Sequence, residues 1–153
     1  MQAGNAKNMI PRLSLFAMSF VIGLAGCHGE HGADLSGNAN DHLPFHGVQE
    51  DEVVRITGAE PFWSGEVKGG QLTYATPEKQ AGTVIPVRRF AGRGGISFSG
   101  QLGSRAMTLA VTPGNCSDGM SDRRYPFVVT LRLGDDLRQG CGWTARQPWT
   151  KAE

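Results

Sequence analysis

The sequence predicts an all-β domain, a small antiparallel barrel of about eight strands tied by one disulfide, with a β-sandwich as the alternative. Three observations carry that prediction. Apolar and polar residues alternate with period two, glycine-rich turns separate the alternating runs, and no segment of helical length shows a 3.6-residue apolar stripe.

The expected strands are 53–57, 62–67, 71–76, 83–90, 95–102, 105–112, 126–133 and 136–144. "KGGQ" at Lys68 to Gln71 turns the second strand into the third, and "GRGG" at Gly92 to Gly95 turns the fourth into the fifth. In the fifth, Ile96, Phe98 and Leu102 share one face while Ser97, Ser99 and Gln101 share the other. "LGSR" at Leu102 to Arg105 leads into the sixth, where Met107, Leu109 and Val111 alternate with Thr108, Ala110 and Thr112. In the seventh, Phe127, Val129, Leu131 and Leu133 alternate with Val128, Thr130 and Arg132, and "LGDD" at Leu133 to Asp136 opens the eighth. Strands buried on one face and joined by short turns pair antiparallel. Closure into a barrel is preferred because it removes edge strands. An eight-stranded barrel is just wide enough for side chains or one small ligand, and Trp63, Tyr74, Phe98, Phe127 and Trp143 are large enough to fill it.

One passage breaks the alternation. "NCSDGMSDRRYPF", Asn115 to Phe127, sits where a hairpin needs only a few residues, so it reads as a long ordered excursion. Ser117, Asp118, Ser121 and Asp122 can cap a short helical turn there, which Pro126 would end.

The N-terminus has a different character. Lys7 and Arg12 precede the apolar run Leu13 to Gly26, which is shorter than the roughly 20 residues of a membrane span and reads as a signal peptide over 1–26. Met9 is an alternative start. "LAGC", Leu24 to Cys27, resembles the lipobox of bacterial lipoproteins, which implies a lipidated Cys27 and anchorage to a membrane. With Cys27 so used, Cys116 and Cys141 remain as one disulfide pair in an oxidising compartment. By analogy with lipoprotein sorting, His28 after the lipid cysteine points to the outer membrane, facing the periplasm.

Residues 27–52 read as an acidic, histidine-rich flexible tether, with six carboxylates after Cys27 and no lysine or arginine. Over 53–148, twelve lysines and arginines stand against seven acids, giving +5. Residues 149–153 read as a tail. A near-neutral chain is therefore a basic domain on an acidic leash.

"GAEPFWSGEV", "LTYATPE", "CSDGMSDRRYPF" and the late "GC" together resemble an uncharacterised family of bacterial envelope lipoproteins, over most of Val53 to Trp143. The resemblance implies the lipoprotein and the domain, and no chemistry. The architecture is more distantly similar to the membrane-bound C-type lysozyme inhibitors, whose inhibitory loop motifs are not found here.

All four histidines, His28, His31, His42 and His46, precede the domain, so Ser-His-Asp and Cys-His arrangements within it are excluded. The sequence reads as a non-enzyme without a cofactor. Those histidines give only a weak metal signal, since their spacing matches no standard site. Binding carries most weight, with Asp118, Asp122, Arg123, Arg124, Tyr125, Glu60 and Trp63 as candidate residues. The expected function is a binding or envelope-maintenance module directed at an anionic envelope component and not at nucleic acid. A lysozyme-type hydrolase inhibitor and a small-ligand barrel are the alternatives.

Lipidation is directly testable. A Cys27→Ala variant should fail to incorporate a fatty-acid analogue and should leave the membrane fraction or remain unprocessed, because the thioether can no longer form.

Overall fold

The computed structural model describes residues 43–152. Nine strands follow in chain order: β1 (Val54–Ala59), β2 (Phe62–Lys68), β3 (Gln71–Thr76), β4 (Lys79–Ala91), β5 (Ile96–Leu102), β6 (Arg105–Cys116), β7 (Arg123–Leu133), β8 (Asp136–Trp143) and β9 (Thr150–Lys151). Each of the first seven pairs antiparallel with the next, and β8 pairs with β1, so the meander closes into an eight-stranded up-and-down barrel. The turns are the expected ones. Gly69 and Gly70 both have positive φ (55° and 76°), the geometry that lets a two-residue turn match the twist of its strands.

The inner face carries Val54 and Ile56 of β1, Trp63 and Val67 of β2, Leu72 and Tyr74 of β3, and Ile85 of β4, all buried. From the other half come Ile96, Phe98, Met107, Leu109, Val111, Phe127, Val129, Leu131 and Leu133. Arg55, Ser64, Glu66, Ser97, Ser99, Thr108 and Arg132 alternate with them and face outward. Apolar inside and polar outside is the inverse of a bilayer-spanning barrel, whose outer band is apolar.

The eighth strand explains how closure is achieved. Its inner positions are Arg138, Gly140 and Gly142, paired with Leu131, Val129 and Phe127. The Trp63 indole occupies the space that Gly140, and Gly58 on β1, leave free of side chains. A Cβ at Gly140 would lie 2.8 Å from Trp63 Cζ2 and 2.3 Å from the Thr57 carbonyl, and one at Gly58 would lie 2.1 Å from Trp63 Nε1. The β1–β8 ladder spans only three residue pairs, Arg55 to Thr57 against Trp143 to Cys141.

Several expectations need correction. The fourth strand starts at Lys79 instead of residue 83, carried across a bulge between Tyr74 and Thr76 by Gly82 at φ 77°. No helical turn forms in the Asn115–Phe127 excursion, because β6 runs on to Cys116 and β7 begins at Arg123. Pro126 lies within β7 instead of ending a helix, opposite the Pro113–Cys116 bulge and beyond the last β7–β8 pair, where no ladder N–H is required. Trp143 does not fill the barrel. It pairs with outward-facing Arg55 and packs half-buried on the Tyr125 ring at 5.5 Å.

Both flanks are structured where they are described. Of the expected tether, Leu43–Glu52 packs on the barrel end where β1 begins: Val48 is only 1% exposed and Phe45 packs on the core. The strap is held by Phe45 N–H donating to the Gly92 carbonyl (2.7 Å), Arg89 donating to the Val48 carbonyl (2.8 Å) and Gln147 donating to the Gly47 carbonyl (2.6 Å). Glu52, whose side chain is 7% exposed, faces Arg146 at 3.8 Å. Burial alone would raise its pKa, but the Thr144 hydroxyl, the Gln49 N–H and the Arg146 charge outweigh this and lower it. The expected tail supplies β9, which pairs Arg123 with Lys151 and Arg124 with Thr150. Cys27, His28, His31 and His42 lie outside the described residues.

The strap generates a prediction. Val48→Ala should lower the unfolding free energy by about 2 kcal/mol in a denaturant titration, the scale of a truncated core side chain. A flexible tether would give no change.

Candidate functional site

The Cys116–Cys141 disulfide joins β6 to β8 across the outer face of β7, with a Cα–Cα distance of 5.6 Å. Cys141 has this reach because it lies opposite Val128 on the outward parity of β8. Linking residues 25 apart in sequence removes unfolded-chain entropy equivalent to about 3.5 kcal/mol in the loop-closure picture. The link also lays the connection Ser117–Asp122 back along the outside of the barrel.

Asp118 organises that connection. Its Oδ1 accepts from the backbone N–H groups of Met120 (3.0 Å) and Ser121 (2.9 Å), and its Oδ2 accepts from the Ser121 hydroxyl (2.9 Å) and the Tyr125 hydroxyl (2.9 Å). Partial burial opposes ionisation, but these donors prevail and hold the carboxyl at about 2, down from 3.8. Tyr125 is buried and stacks obliquely on Trp143, so the hub rests on a small aromatic pair outside the main core.

The loop separates two unlike surfaces. On one side, the β1–β2 turn, the loop and the outer face of β8 enclose a groove of about 670 Å³. Its lining includes Glu60, Phe62, Asp118, Met120, Leu137 and Gln139. On the other side runs the β7–β9 ribbon with Arg123, Arg124 and Lys151. The Arg123 guanidinium sits 4.2 Å above the Trp149 ring, a cation–π contact that fixes its position. Arg124 is exposed beside a shallow groove lined by Tyr125, Pro126 and Pro148.

The sequence candidates therefore divide. Glu60 and Asp118 meet across the groove, whereas Arg123 and Arg124 lie on the ribbon and pair with neither Asp118 nor Asp122. Asp122 is exposed, and its carbonyl accepts the Ala152 N–H at 2.6 Å. Trp63 is a core residue. It packs 6.2 Å from the Tyr74 ring, its Nε1 has no hydrogen-bond partner, and its edge reaches a cavity of about 290 Å³ beside Phe62 and Pro77. Arg138 donates to the Tyr74 hydroxyl at 2.6 Å from inside the barrel mouth. Burial raises the Tyr74 pKa, against the opposing charges of Arg138 and Arg105.

Sequence reasoning missed Phe62, Met120 and Leu137 on the groove and Trp149 and Lys151 on the ribbon. One signal was present in β8: in "DLRQGCGW" the apolar residues fall on the parity of Leu137, and that parity faces outward. His46 is exposed, and among the described residues no group of three or more His, Cys, Asp or Glu side chains could hold a metal.

Fold and site together define a small closed meander barrel with a packed interior and a disulfide-pinned outer loop. Comparison with protein-family models, with curated proteins and with solved structures gave no match.

The Asp118 hub makes stability pH-dependent. Because its carboxyl titrates lower in the folded chain, its contribution is complete above about pH 4 and is lost as pH falls toward 2. Asp118→Asn should flatten that acid loss in melting curves, and Tyr125→Phe should move the carboxyl titration upward, as read by NMR.

Proposed function

We propose that the chain is an outer-membrane-anchored periplasmic lipoprotein whose barrel acts, without catalysis or cofactor, as a binding module for an anionic component of the envelope. The observation that carries this reading is the β7–β9 ribbon. Arg123 and Lys151 are directly opposed on it, Arg124 is the next residue, and no described carboxylate lies within 4 Å of any of the three. Concentrating like charges without partners costs repulsion that a phosphorylated glycolipid or anionic wall polymer would relieve. Trp149 supports the arrangement by holding Arg123 in place before any partner arrives.

Further support comes from inside and upstream. The interior is occupied by packed side chains, which favours use of the outer surface over carriage of a small ligand. The signal-like leader and "LAGC" favour an anchored protein, and a near-membrane position would bring the ribbon to headgroup phosphates. Both cysteines of the barrel are in the disulfide and it holds no histidine, which favours binding over nucleophilic chemistry.

A double Arg123→Gln, Arg124→Gln variant should bind purified wall and glycolipid fractions more weakly and with a flatter salt dependence. Its stability should stay within about 1 kcal/mol of the parent, the scale of exposed ion pairs and cation–π contacts. Undiminished pull-down by the variant would overturn the reading. So would potent lysozyme inhibition by the parent in physiological salt, which would favour a cationic hydrolase as partner.

A further inference from the structure

Six large apolar side chains are prominently exposed among the described residues, and three of them, Phe62 (54%), Met120 (63%) and Leu137 (59%), line the single groove between the β1–β2 turn and the Cys116 loop. They come from three separate segments. Only the closure of β8 on β1 and the disulfide across β7 bring them together. An apolar cluster open to water is unfavourable unless something covers it.

The groove is also electrostatically opposite to the domain around it. Its two charged lining residues are both acids, Glu60 from the turn wall and Asp118 from the loop wall, and no lysine or arginine lines it. The four donors around Asp118 occupy its acceptor positions, so it offers a partner fixed negative charge, while Glu60 is exposed and able to accept hydrogen bonds. An anionic or zwitterionic headgroup would meet these carboxylates unfavourably. A lysine or arginine side chain lying between the walls would be attracted by both.

Size and rigidity narrow the occupant further. About 670 Å³ is room for a few side chains of a bound segment. One wall is tied down by the disulfide and by the Asp118 hydrogen bonds, so little ordering is needed when a partner binds. We infer that this groove is the docking site for a cationic amphipathic segment of a partner protein, with bulky apolar side chains seated among Phe62, Met120 and Leu137 and a basic one between Glu60 and Asp118. The site is distinct from the basic ribbon on the far side of the loop, and the inference stands independently of that ribbon's partner.

The test uses the full-length lipoprotein immobilised in mild detergent, with empty micelles as the reference surface. Three hexapeptide probes are applied: alternating leucine and lysine, alternating leucine and glutamate, and alternating serine and lysine. The leucine–lysine peptide should bind best. Leu137→Ser should weaken it roughly tenfold by removing a buried apolar contact. Glu60→Gln should weaken it roughly two- to fivefold and reduce its salt dependence. Arg124→Gln should leave it unchanged. Equal binding by the leucine–glutamate peptide would overturn the charge argument, and equal binding by the serine–lysine peptide would overturn the apolar one. Unaltered affinity in both groove variants would place the peptide on the acidic segment His28–Glu52 and overturn the site. Self-association abolished by Leu137→Ser, measured by sedimentation, would make the groove a face between two copies and equally overturn it.

Discussion

The seating of Trp63 against two glycines is the contact on which the rest of this barrel depends. Eight strands leave an interior with no room for an indole beside a full set of side chains. Gly58 and Gly140 provide that room on the two strands that must meet to close the meander. The same choice leaves β8 without an apolar inner side chain, so its apolar residues, Leu137 and Trp143, face outward. A packed interior and an apolar patch on the exterior thus have one origin.

The Cys116 loop completes what closure begins. A six-residue connection could project into solvent, but the disulfide draws it across β7 and Asp118 folds it onto itself. In that position it forms one wall of the acidic groove and leads directly into the basic ribbon. A short stretch of chain keeps the two surfaces apart, and each presents side chains whose positions are set before binding.

Net charge conceals this arrangement. Of the domain's thirteen lysines and arginines, Lys151 included, Arg89 reaches the strap carbonyl of Val48, Arg138 the Tyr74 hydroxyl, and Arg55, Arg105 and Arg146 face Glu66, Asp136 and Glu52. These groups serve cohesion, and the exposed pairs among them contribute little. The field a partner meets comes from the cations left over, and its sign changes from one side of the loop to the other.

Sequence alone determined the eight barrel strands, most of their limits, the hairpin turns and the disulfide pair. Each follows from simple rules: side chains alternate with period two, glycine permits positive φ, and two cysteines left over in one domain pair where the surroundings are oxidising. It also drew attention to Asp118, Arg123 and Arg124, because charged residues clustered at a break in alternation stand out. Only the tertiary structure decided that Glu60 and Asp118 share a groove, that Arg123 belongs to a ribbon with Lys151, that Trp143 lies outside the barrel, and that Leu43–Glu52 is a strap. The reason is physical. Which face of β8 points inward depends on the volume Trp63 claims from a strand some eighty residues away, and Val48 is buried only because the barrel end offers an opening of its size. Such complementarity between distant segments leaves no periodic trace in the chain.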